Sequence, residues 1–272
     1  MSETVTASKT KKLIESSIMV AIATVLSMIK LLDLPYGGTV TIGCMLPVII
    51  ISYRHGIRWG LLSGAVFGII QQLLGLNTLS YVTTWQSVAA VMLLDYIVAF
   101  TVIGLGGIYR KSLAQPRALV LGTVTVCILR YICHVISGAT VWAGLSIPTE
   151  AAFWYSVGYN ATYMIPETIV TSVIAYYIGS ILDMGQDNIV PFSKSRKEPI
   201  PVTKWIAGLL IAAVAVFDVR SIFAHLQNAD SGEFDATGFA SVSWGLIAAA
   251  TIACTVCAVI LFYTGSKKSS GK

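Results

Sequence analysis

The chain has 272 residues, of which 56% are hydrophobic and only 11% charged, with a mean hydropathy of +0.78. Soluble domains carry about 25% charged residues, so the composition excludes a soluble globular protein and leaves an integral membrane protein. The net charge of +5 does not argue for a nucleic-acid partner, because topology accounts for where the basic residues stand.

Hydropathy predicts an all-α polytopic protein with eight apolar spans, at about 13–32, 40–53, 58–76, 86–108, 118–141, 153–182, 204–223 and 243–264. The first span is long enough to cross a bilayer and lacks a small-residue cleavage pattern, so it is expected to be retained. Its Ser17-x-x-x-Ala21 face, with Glu15 just before it, is narrow enough to admit another helix closely. The second span is short for a full crossing and is expected to be tilted or tightly packed. Arg54 and His55, in the turn that follows, read as solvated. The third span carries Gly60-x-x-x-Gly64-x-x-x-Gly68, a groove for helix packing inside the bundle.

Beyond the sixth span, the stretch 183–203 mixes charged residues with Pro199 and Pro201 and reads as a linker. Two further spans follow, joined by an acidic loop with Asp230, Glu233 and Asp235. The expected division is a six-helix membrane core over 1–185, a cytoplasmic linker over 186–203 and a two-helix extension over 204–272. With both termini placed in the cytoplasm, fifteen of the eighteen basic residues fall on inner segments. That is a strong positive-inside pattern for a multi-pass protein of the cell membrane.

The chemistry concentrates on spans four to six. Arg130, His134, Gly138 and Trp142 are spaced by four, which on a helix makes a slowly turning stripe about 18 Å long. An arginine and a histidine within a span are costly and face a partner or a cavity. Asp95 on span four falls at a depth between Arg130 and His134, and Tyr155 and Asn160 on span six lie in the same outer half. The bland alternative is that Asp95 and Arg130 neutralise each other and fix packing. The accompanying indole, phenol, amide and imidazole point instead to a small-ligand pocket. One carboxylate and an aromatic face suit a cation with a planar ring, and an asparagine matches a heteroaromatic edge that both donates and accepts. Glu167, behind Pro166, lies deeper and receives no role. Motifs for phosphate loops, serine hydrolases and zinc proteases are missing from the sequence, so no catalytic residue, metal ligand or cofactor is assigned. The five cysteines are scattered within or beside spans and read as small apolar residues.

These residues carry a resemblance. Leu94-Asp95-Tyr96, Arg130-Tyr131-x-x-His134-x-x-x-Gly138-x-x-x-Trp142 and Tyr155-Ser156-x-x-x-Asn160 resemble the thiamine-specific substrate-binding subunits (S components) of energy-coupling factor transporters, over about residues 10–185. The resemblance implies that Trp142 stacks on the ligand rings. It further implies that Tyr96, His134 and Gly138 surround the thiazolium and hydroxyethyl end, and that Tyr155 and Asn160 hold the aminopyrimidine. Asp95 stands where the family has glutamate, keeping the charge on a side chain one methylene shorter, in direct or water-bridged contact. Tyr36 is the aromatic of the first outer loop, where the family has tryptophan. Ser17 and Ala21 occupy the place of the family's docking motif for a transmembrane coupling subunit, which works with two ATP-binding subunits. The transported ligand would be thiamine. Two other readings stay open: an ion-coupled secondary transporter using Asp95, Arg130 and Glu167, and an S component for a related pyrimidine precursor.

Overall fold

A chain whose apolar runs are separated by glycine, proline and short polar turns satisfies its backbone inside a bilayer only as helices, and helices dominate the architecture. The computed structural model describes residues 2–34, 37–82, 84–144, 149–192, 201–225 and 236–270. Helix α1 spans Ser2–Met28 and is followed by a two-stranded antiparallel ribbon, β1 (Lys30–Asp33) and β2 (Thr39–Thr41). Then come α2 (Leu46–His55), α3 (Ile57–Leu74), α4 (Trp85–Gly107), α5 (Gln115–Gly144) and α6 (Thr149–Ile181). A short ribbon of β3 (Leu182–Asp183) and β4 (Val190–Pro191) precedes α7 (Val202–Phe223) and α8 (Trp244–Ser270). Among the described residues, six helices, α3 to α8, are long and apolar enough to cross a membrane.

The first two predicted spans need correction. Helix α1 ends at Met28, Lys30–Asp33 and Thr39–Thr41 pair as β1 and β2 where the two predicted spans end and resume, and α2 begins only at Leu46. Gly37 and Gly43 adopt positive φ (98° and 69°), which L side chains rarely adopt, and they bracket β2. Helix α2 has ten residues, about 15 Å long against a hydrocarbon core of about 30 Å. Leu46 to Ser52 are all buried, so α2 is enclosed by its neighbours.

Arg54 and His55 are not solvated. The Arg54 side chain is 3% exposed and forms an ion pair with Glu15 of α1. His55 Nε2 lies 2.8 Å from a Glu15 oxygen. Arg54 also donates to the backbone carbonyls of Met184 (2.8 Å) and Asp187 (3.0 Å). This polar clamp ties α1, the α2–α3 turn and the segment after α6 together. One carboxylate with two basic partners is what permits such burial.

Helix α3 meets α4 through its glycine groove. A Cβ on Gly64 would fall 3.0 Å from the Thr101 carbonyl oxygen, and one on Gly68 would fall 2.8 Å from the Tyr96 carbonyl oxygen. Gly60 faces Gly104, backbone against backbone. The packing reading of this motif is what the contacts show. Helix α4 is not a regular α-helix: Val91–Val98 forms a π-helix, and Val102–Gly107 tightens to a 3₁₀-helix. Helices α5 and α6 pack along much of their length, and α6 runs on through Pro166.

Helix α7 packs on α6, with the Trp205 ring stacked on Tyr177 at 3.9 Å. Its outer part reaches the hairpin, where Val219 joins the core beside Leu32 and Leu34. Helix α8 pairs with α7, and Thr251 donates to Asp218 at 2.7 Å. Ile252, Val256, Val259 and Ile260 of α8 are exposed, as expected of a surface against lipid.

Candidate functional site

The hairpin, the C-terminal end of α3 and helices α4, α5 and α6 enclose a cavity of about 780 Å³. Val91, Asp95, Tyr96 and Phe100 of α4 line it. A recurrence every four to five residues fits the wider turn of a π-helix, and such segments concentrate at functional sites. The π segment therefore puts both Asp95 and Tyr96 on the cavity wall.

Arg130, His134 and Gly138 from the α5 stripe line the same cavity, as does Asn160 of α6. Asp95 does not pair with Arg130. Its Oδ1 lies 2.8 Å from His134 Nδ1, and its Oδ2 accepts from the Ser137 hydroxyl at 2.9 Å. The carboxylate remains 24% exposed, so it still has lone-pair capacity toward the cavity. Arg130 is 7% exposed. Its Nη2 approaches His134 Nε2 at 3.4 Å, Nη1 donates to the Met45 sulfur, and the guanidinium carbon lies 4.5 Å from the centre of the Phe100 ring.

Asn160 is held firmly. Its amide nitrogen donates to the carbonyls of Ser156 (2.8 Å) and His134 (3.2 Å), and its oxygen accepts from Tyr163. The protein thus occupies both amide hydrogens, leaving the second lone pair of Oδ1 as the group free to bind. Gly138 is required by close approach: a Cβ there would strike the Ser156 hydroxyl and press within 3.2 Å of the Asn160 amide nitrogen. Tyr96 donates from its hydroxyl to the Gly75 carbonyl or to Thr78, each at 3.2 Å, which fixes its ring along the wall.

Not every predicted residue is placed at the cavity. Tyr155 is half-buried near the N-terminal end of α6, outside the lining, and the described phenolic wall comes from Tyr159 and Tyr163 further along that helix. Trp142 is near the C-terminal end of α5, but its side chain lies outside the described residues, as does Tyr36. Ser17 and Ala21 are far from the cavity on an exposed face of α1, beside Ile14, Ile18 and Ile22.

Three contributors escaped the sequence reading, and a fourth, Glu167, was named there without a role in the pocket. Ser137 sits three residues after His134, on the same helix face, and that spacing was a usable signal. Tyr159 closes the tip of the hairpin, its hydroxyl accepting from the Gly38 N–H at 3.1 Å. Tyr163 packs edge-on to His134, ring centres 6.0 Å apart. Glu167, 3% exposed, accepts from the Thr41 N–H at 2.6 Å and its hydroxyl at 2.8 Å. It thereby pins the inner end of β2 to α6. Among the described residues there is no cluster of three His, Cys, Asp or Glu groups arranged to hold a metal ion.

Three comparisons with known proteins agree. The family described as "Thiamine transporter protein (Thia_YuaJ)" matches residues 13–183. The thiamine transporter ThiT of Bacillus subtilis (strain 168) is 36% identical over 176 residues, which cover 60% of this chain and 87% of that protein. Among solved structures, ThiT from Listeria monocytogenes superposes with a TM-score of 0.52 at 21% identity, over 63% of this chain and 94% of that one. That last likeness concerns the fold. The family match stops in the ribbon after α6, so α7 and α8 lie beyond it.

Proposed function

Because the chain belongs to the Thia_YuaJ thiamine transporter family, the thiamine S components of energy-coupling factor importers, we propose that its cavity captures thiamine from outside the cell. The protein is a multi-pass membrane protein that binds its substrate and is not an enzyme. The observation that supports the cavity as the site is the partly open Asp95 carboxylate, oriented by His134 and Ser137. It supplies one negative charge for the thiazolium. The free lone pair of Asn160 Oδ1 suits the exocyclic amine of the aminopyrimidine, with Trp142 completing that end and Tyr36 closing the first loop. Tyr96 and Gly138 shape the wall around the remaining ring.

Titrating the purified protein with thiamine while following tryptophan fluorescence tests this reading. Quenching with submicromolar affinity is expected, largely lost in Trp142→Ala. Equal affinity for a neutral pyrimidine fragment would favour a precursor as the substrate instead.

The same reading covers delivery and organisation. Residues 1–185 act as the substrate-binding unit, 186–203 as a cytoplasmic linker and 204–272 as a two-helix membrane extension, with both termini in the cytoplasm. The Ser17/Ala21 face of α1 docks a transmembrane coupling subunit, which joins two ATP-binding subunits. Substituting Ala21→Trp should abolish thiamine uptake by cells while leaving binding by the purified subunit unchanged. Uptake at the wild-type rate would remove this face from the transport cycle. Uptake that needs a proton gradient but no ATPase would mark an ion-coupled transporter.

A further inference from the structure

A buried arginine beside a site for a cation needs a reason, because by charge alone it repels the ligand. Among the described residues, Arg130 makes no ion pair within 4 Å. Its contacts are the Met45 sulfur, the Phe100 ring and His134 Nε2. A guanidinium only donates, so the nitrogen facing it must present a lone pair. The other imidazole nitrogen, Nδ1, lies 2.8 Å from Asp95 Oδ1 and therefore carries the proton.

We propose that Arg130 is a positioning residue that holds His134 as the neutral, Nδ1-protonated imidazole, so that the Asp95 charge stays available to a cationic ligand. An imidazolium at His134 would neutralise Asp95 locally and add a positive charge where a thiazolium must sit. Arg130 opposes a second proton on Nε2 both by occupying the lone pair and by repulsion. Glu167 lines the same cavity but is engaged by the Thr41 N–H and hydroxyl. The ionisable groups around His134 come from every wall. They are Lys30 and Asp33 on β1, Asp95 and Tyr96 on α4, Arg130 and Cys133 on α5, Tyr159, Tyr163 and Glu167 on α6, and Cys44 before α2. Lys30 and Asp33 pair with each other.

The consequence for affinity rests on the thiamine reading above; the protonation state does not. The chain has three histidines, so ¹⁵N imidazole shifts in the ligand-free protein can be assigned by substituting His55 and His225. His134 is expected to show a protonated Nδ1 and an unprotonated Nε2 at neutral pH. A protonated Nε2 overturns the proposal, whether or not thiamine binds. In Arg130→Leu the Nε2 shift should lose its acceptor signature and thiamine affinity should fall about tenfold, and Arg130→Lys, which keeps a cationic donor, should restore both. Unchanged nitrogen shifts in Arg130→Leu would also refute the role. Should that variant fail to fold, the wild-type nitrogen shifts decide alone. Failure of thiamine to bind the wild type at any pH would sink the substrate reading and leave the imidazole assignment intact.

Discussion

Replacing Asp95 by asparagine is expected to weaken thiamine binding about a hundredfold, roughly 3 kcal/mol, with little loss of folded protein. The separation follows from the local geometry. Asparagine keeps the shape of aspartate, and its amide oxygen can still accept from the His134 Nδ1–H that now meets Oδ1 at 2.8 Å. The Ser137 hydroxyl, 2.9 Å from Oδ2, can turn to accept from the new NH₂. No buried donor is stranded, so what disappears is the charge. The range for a hydrogen bond to a charged group is about 1.5–3 kcal/mol, and the upper end applies because the carboxylate sits in a largely enclosed site. Calorimetric titration with thiamine and with a neutral pyrimidine fragment separates charge from shape. The fragment should bind the variant and the wild type alike. Undiminished thiamine affinity in Asp95→Asn would place the counter-charge elsewhere in the cavity.

The sequence showed the side of the cavity built on one regular helix. Arg130, His134 and Gly138 share a face of α5 because α5 is a continuous α-helix, and spacing by four translates directly into a stripe. Depth counting placed Asp95 at that level, with Arg130 as its partner only in the bland alternative. Two carriers of opposite charge, Asp95 and Arg130, invite pairing by Coulomb's law. The actual partners of Asp95 are His134 and Ser137, and which of them face it depends on the π segment Val91–Val98. A π-helix leaves no mark in apolar periodicity over eight residues, so the rotation it gives Asp95 and Tyr96 was not legible.

The hairpin was hidden for a different reason. Residues 30–32 and 40–41 fall within the two flanking predicted spans, and the features that fold them into strands are distant in sequence. The Gly38 N–H goes to Tyr159, and Thr41 goes to Glu167, across separations of 121 and 126 residues. Likewise, Arg54 and His55 looked like ordinary inner-turn residues because their shared partner, Glu15, lies on another helix. Polar groups without local partners were the readable clue; their destinations were not.

The glycine contact between α3 and α4 is where the fold tolerates least. A Cβ at Gly104 would overlap the carbonyl carbon of Gly60 and the amide nitrogen of Leu61, both main-chain atoms that cannot turn aside. Gly104→Ala is therefore expected to cost more than ordinary overpacking, about 3–5 kcal/mol. At roughly 2–4 °C per kcal/mol, the melting temperature in detergent should fall by about 6–20 °C. Gly158, on α6, has nothing within 4 Å of its ideal Cβ. There alanine gains helix propensity, up to about 1 kcal/mol, so Gly158→Ala should match or exceed the wild type. The pair of variants makes one chemical change with opposite expected signs, and equal melting temperatures would show that α3 and α4 do not meet at Gly104. The same seam continues past Gly64 and Gly68 to the Phe100 and Tyr96 carbonyls. Forcing the helices apart at Gly104 should thus loosen the π segment, lowering thiamine affinity even in protein that remains folded. Position 104 touches no ligand, so a loss of affinity there would report the packing that aims Asp95 into the cavity.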